Sequence, residues 1–117
     1  MVSRLPGAPL ALIEERKITG YLLASGHPAG RTKAAFFKRF GFCAVEWEQL
    51  RDALPGPARS ARVISRADTE FGRKYLLEGP LTAPDSRKPR VRTVWFVAIG
   101  ETAPRLVTAY AAPGDKQ

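Results

Sequence analysis

The sequence predicts an α+β domain, with N-terminal helices packed on one face of an antiparallel sheet of about four strands. Two observations carry this. Apolar residues recur at helical spacing through residue 54, then alternate with polar ones from residue 62 onward. Between the two regimes stands Pro55-Gly56-Pro57, which ends any helix that reaches it. At 117 residues and 44% hydrophobic, with two tryptophans and six phenylalanines, the chain can bury one core. Residues 1–117 therefore read as a single domain, with 1–9 and 111–117 as flexible ends.

Residues 14–23 form the first helix, with Ile18, Tyr21 and Leu22 on one side. Gly20 weakens it by about 1 kcal/mol relative to alanine. Ser25-Gly26-His27-Pro28 breaks the pattern, and the residue before a proline avoids the α region. Residues 31–40 form the second helix: Lys33, Phe36, Phe37 and Phe40 share one side, and Gly41 stops it. Residues 46–54 form the third, with Trp47, Leu50 and Leu54 inward.

The strands follow. Residues 62–65 are a weak strand, and 73–78 a better one. Residues 91–99 are the strongest, with Val91, Thr93, Trp95, Val97 and Ile99 on one face and Arg92, Val94, Phe96 and Ala98 on the other. Both faces are largely apolar, as in a central strand. Residues 100–104 make a hairpin loop into a last strand at 106–110. Residues 82–89 read as a longer exposed loop. Trp95, Phe96, Trp47, Phe36 and Phe37 are expected in the core, with a base-stacking platform as the alternative, and Cys43 as a small buried apolar residue.

One cysteine and one histidine exclude a disulfide framework and a zinc cluster, and point to a reducing cytosol. Glu14, Glu15, Asp68 and Glu70 have no paired spacing for a metal, and no cofactor is expected. No signal peptide or membrane span is visible. Delivery into another cell's cytosol would need something outside this sequence. The net charge is +8, and thirteen of the nineteen basic residues are arginine. Arginine's planar fork matches phosphate oxygens, so a nucleic acid is the favoured partner. An acidic protein would be drawn by the same field.

RNA can be cut without metal by a base, an acid and cations around one phosphate. His27 is the sole imidazole and titrates near neutrality. It reads either as that acid or base, or as a turn residue before Pro28. Gly30 and Arg31 follow at a helix start, where amides can hold phosphate. Lys33 is either a phosphate clamp or a stem covering the aromatic side of its helix. Lys38 is either a solvated charge or a contact to the nucleic-acid backbone. Arg92, Thr93, Thr108 and Tyr110 gather at one end of the sheet if the last two strands pair, with Thr93 and Thr108 close in register. Threonine and tyrosine are also ordinary strand formers.

Lys17-Ile18-Thr19-Gly20-Tyr21-Leu22-Leu23, then the run from His27-Pro28 through Lys33-Ala34-Ala35-Phe36-Phe37, then Gly41-Phe42, resembles a bacterial family of unknown function. Phe71-Gly72-Arg73-Lys74-Tyr75, Val91-Arg92-Thr93-Val94-Trp95 and Pro104-Arg105-Leu106-Val107-Thr108-Ala109-Tyr110 extend the match to nearly the whole chain. That order of elements is similar to the barnase, EndoU, colicin and RelE-like toxin ribonucleases. The resemblance implies a barnase/RelE-like fold, metal-independent RNA cleavage, and catalytic roles for His27, Lys33, Arg92, Thr108 and Tyr110. Barnase-type members also use a strand glutamate, and Glu78 is not assigned that role here.

The expectation is a toxin-like endoribonuclease that leaves a 2′,3′-cyclic phosphate, held in check by an acidic antitoxin or immunity protein. Two alternatives stay open: a non-catalytic nucleic-acid-binding module, and a basic domain that docks an acidic protein.

Overall fold

A computed structural model describes residues 5–24, 31–56 and 62–113. After a 3₁₀ turn (Ala8–Leu10), α1 (Glu15–Lys17) runs into a π turn (Ile18–Leu22); α2 (Arg31–Arg39) and α3 (Trp47–Ala53) follow. Then come β1 (Arg62–Thr69), β2 (Gly72–Pro80), β3 (Arg90–Ala98) and β4 (Arg105–Ala111). The sheet order is β1-β2-β3-β4, with every neighbouring pair antiparallel. This is the predicted α+β arrangement, with β3 in the interior of the sheet as its two apolar faces required.

Strand alternation sorts the side chains. Tyr75, Leu77, Val91, Trp95, Leu106 and Ala109 are buried on the inner face. They meet Ile18, Leu22, Leu23, Phe36, Phe37, Phe40, Leu50 and Leu54 in one apolar cluster. Thr93 is buried among them, and its hydroxyl accepts the Trp95 indole N–H at 2.9 Å. A tryptophan N–H in a core needs such a partner. Trp47 is only half-buried, under the Arg51 guanidinium 5.0 Å from its ring, and Cys43 is half-buried too.

The end of α2 follows from one glycine. Gly41 has φ +99, a conformation that costs an L side chain about 1–2 kcal/mol. It lets the Phe42 amide donate to the Phe37 carbonyl at 3.2 Å and the Gly41 amide to that of Lys38 at 3.0 Å. These are the two bonds of a Schellman stop, and the Phe37 and Phe42 rings add its apolar contact, edge-on at 6.1 Å. A Cβ at Gly41 would meet nothing closer than Pro84 at 3.5 Å, so only the backbone resists one. Gly41→Ala should therefore lower the stability measured by urea unfolding by about 1–2 kcal/mol.

Several local expectations change. The first helix is mostly a π turn: the Leu23 amide bonds the Ile18 carbonyl five residues back, at 2.8 Å. The wider turn buries Ile18, Leu22 and Leu23 together. Of the end expected to be flexible, residues 1–9, the described part from Leu5 is held against the core. Leu5 is buried, and Leu12 bridges in parallel to Arg105 beside β4. At the other end Ala111 pairs with Val91, and Ala112 is buried. The 81–89 loop is anchored by buried Leu81, Ala83 and Pro89. Its Arg87 bonds the Arg39 carbonyl at 2.7 Å and lies 4.3 Å over the Phe40 ring. Phe96, expected in the core, is half-buried on the opposite face of the sheet. Position parity on β3 puts it with Arg92 and Val94, not with Trp95.

Candidate active site

The outer face of the sheet is built in cross-strand tiers. One tier is Glu78, Arg92 and Tyr110, the next Leu76, Val94 and Thr108, the third Lys74, Phe96 and Arg105. Successive tiers stand about 7 Å apart, from the rise of two strand residues.

In the first tier the Arg92 Nε donates to Glu78 Oε1 at 2.9 Å, and Arg90 reaches Oε2 at 3.4 Å. The Arg92 bond, opposed by burial and helped by Arg90, holds the Glu78 carboxyl below the usual glutamate range. Glu78 in turn raises the Arg92 guanidinium, and Tyr110 contributes to the same effect. The carboxylate thus fixes an arginine beside a tyrosine on an open surface.

A carboxyl whose pKa falls on folding stabilises the fold above its unfolded pKa. That contribution disappears as the pH drops through the folded value. With the Glu78 side chain 24% exposed, solvent reduces it. Glu78→Gln should therefore flatten the loss of stability on acidification below about pH 4.5, read as thermal midpoint against pH.

The second tier meets the helices. In β4 the register shifts between the Val94 and Trp95 pairings, leaving Val107 as an extra residue. Thr108 stands opposite Val94 and donates to the Tyr21 hydroxyl at 3.4 Å. Two lysines flank the Tyr21 ring: the Lys33 Nζ is 5.4 Å from its centroid and that of Lys17 is 5.6 Å. The Thr108 bond, against the opposing effect of burial and with help from Lys33 and Lys17, lowers the Tyr21 pKa. In an absorbance titration Thr108→Val should move this phenol up, toward the ordinary tyrosine value.

Of the residues named from sequence, Lys33 and Thr108 converge on Tyr21, and Arg92 and Tyr110 stand opposite each other one tier away. Thr108 and Tyr110 share the outer face of β4. Thr93 is not with them. It pairs with Ala109 rather than Thr108 and points inward with no exposed surface, so the expected hydroxyl pair does not form. Its burial also removes it from any substrate-binding surface. Lys38 is exposed near the end of α2. Arg31 opens α2, while His27 and Gly30 lie outside the described residues.

Sequence reasoning missed Tyr21 and Glu78 as parts of this arrangement. Tyr21 is four residues from Lys17 and would have read as its helical neighbour. Glu78 is opposite Arg92 only once the β2–β3 register is known. A cavity of about 280 Å³ lies elsewhere, near the β1–β2 turn, lined by Asp68, Arg73, Tyr75, Val97 and Ile99 among others. It contains none of the residues named above for chemistry. Among the described residues no helix is long and apolar enough to cross a membrane.

No curated protein matches this chain in sequence. Among solved structures, the fold is similar to a chain of the "Contact-dependent growth inhibition toxin - immunity protein complex from Klebsiella pneumoniae 342". The TM-score is 0.72 over 92% of this chain and 98% of that one, at 13% identity, a likeness of fold. The profile of a family described as "Domain of unknown function (DUF6883)" matches residues 4–113. With nearly the whole length matched, the chain belongs to that family.

Proposed function

We propose that this protein is a toxin-type, metal-independent endoribonuclease. The observation that carries the reading is the meeting of Lys33, Tyr21 and Thr108 beside the Tyr110–Arg92–Glu78 tier, on an open face of a chain with net charge +8. Cations, hydroxyls and a fixed guanidinium on one surface suit a phosphodiester and the charge it gathers in reaction.

His27 lies midway in sequence between Tyr21 and Lys33, the two side chains that meet. In the proposed reaction its imidazole takes the proton of the 2′-hydroxyl. The 2′-oxygen attacks phosphorus, and the bond to the 5′-oxygen breaks. Lys33 and Arg92 hold the charge on the phosphoryl oxygens, and Thr108 orients one of them. Tyr110 protonates the departing 5′-oxygen. The products are a 2′,3′-cyclic phosphate and a 5′-hydroxyl, with no cofactor consumed. Gly30, together with Arg31 at the start of α2 and Lys38 further along it, binds the RNA backbone.

The fold neighbour is part of a toxin–immunity complex, which supports a toxin-related role and a protein partner. A strongly basic chain is the member of such a pair that an acidic neutralising protein would bind. The substrate places its action in a cytosol.

Expression of the wild type and of His27→Ala in a bacterial host tests this. The wild type should arrest growth and fragment RNA, and the variant should do neither. Equal harmlessness, with RNA intact in both, would refute the proposal. Salt-sensitive RNA binding without cleavage would favour a binding module instead.

A further inference from the structure

The third tier of the outer face has no role in the chemistry proposed above, and its composition is unusual for a solvent-facing row. Phe96 stands between Lys74 on β2 and Arg105 on β4, directly opposite each in register. Its ring leans across β2: a Cβ built on Gly72 would come within 2.7 Å of the ring's Cζ atom. Glycine at that position lets the aromatic lie along the sheet, supported from below and half-buried. Arg105 has an acidic neighbour, Glu101, 3.8 Å away, but both side chains are about half exposed, and such a contact restrains little.

A supported aromatic face between two cations matches one ligand chemistry closely, an unpaired nucleobase with phosphates on either side. In a duplex the base faces are already stacked on their neighbours, so a single strand can use this tier and a helix cannot. The tier stands about 7 Å from Thr108, the distance of two strand residues.

We propose that Phe96, flanked by Lys74 and Arg105, is a base-stacking subsite that selects single-stranded RNA at the open face of the sheet. This rests on the nuclease reading for its substrate and is tested apart from cleavage. The probe is a fluorescein-labelled 2′-deoxy oligonucleotide of mixed sequence, about ten nucleotides long, which has no 2′-hydroxyl to react.

In fluorescence anisotropy the wild type should bind the single strand more tightly than the same sequence as a duplex. Phe96→Leu should weaken single-strand binding by about tenfold or more, with little effect on the duplex. Phe96→Trp should keep the affinity, and its added indole emission should be quenched by the oligonucleotide. The Lys74→Ala/Arg105→Ala double variant leaves the ring in place and should reduce both affinity and salt dependence.

Single-strand affinity unchanged in Phe96→Leu would overturn the proposal. So would Phe96→Trp emission that ignores the oligonucleotide, or a wild type that prefers the duplex or binds neither. If Phe96→Leu fails to fold, the Trp and double variants decide. A wild type that binds as described but leaves RNA uncut would remove the nuclease reading alone.

Discussion

Lys33→Ala should lower the rate of RNA cleavage by about 10²–10³-fold, the usual cost of removing one donor from a developing oxyanion. Among the described residues, Lys33 is the side chain named from sequence that reaches the Tyr21–Thr108 junction from the helical layer. Its loss should raise the Tyr21 pKa as well, because its hydrogen bond and its charge both help lower that phenol. Stability should change little, since a half-buried cation–π contact such as this contributes about 0.5–2 kcal/mol. The effect is therefore a fall in turnover with a nearly unchanged melting midpoint, read by cleavage assay and thermal denaturation together. Activity within threefold of wild type, a threshold far below the 10²-fold floor, would remove Lys33 from the site.

Trp95→Ala should be the most damaging single change to the fold. The side chain is fully buried at the centre of the inner face, and truncating such a residue costs about 3–5 kcal/mol. The Thr93 hydroxyl would lose its indole donor in a dry interior, adding about 1–3 kcal/mol if no water replaces it. Against a total stability of about 5–15 kcal/mol, much of the margin disappears. Urea unfolding should show a large loss or no cooperative transition. RNA cleavage should fall with it, because Trp95 and Thr93 anchor the strand that carries Arg92 on its opposite face. A loss below about 1.5 kcal/mol would mean that β3 is not the centre of the core.

The legible parts of this fold are those with a strong local pattern. Alternation along residues 91–99 identified β3, and the Phe-rich face with its closing glycine identified α2. For β1 the sequence pattern covers only residues 62–65, whereas the strand runs Arg62–Thr69. Its second half, Arg66-Ala67-Asp68-Thr69, is exposed at a sheet edge and so carries no apolar alternation. The π turn was hidden because Ile18, Tyr21 and Leu22 also fit α spacing.

For the candidate site, residue type was legible and register was not. Thr93 and Thr108 miss each other by one position, since Thr93 pairs with Ala109. In a strand one position is the difference between the two faces, so the whole hydroxyl pair disappears. The extra residue at Val107 that helps set this register has no signature in composition. Phe96 failed for a different reason. Residue type points it to the core, although its parity with Arg92 places it on the other face. Tyr21 is recognisable only once the π turn and β4 are seen together.

The most direct measurement is to incubate the purified protein with single-stranded RNA in excess chelator and to identify the new ends. Cleavage that leaves 2′,3′-cyclic phosphate and 5′-hydroxyl termini, lost in His27→Ala, is the predicted result. Intact RNA, or fragments that appear only with added divalent metal and end in 3′-hydroxyl and 5′-phosphate, would contradict it.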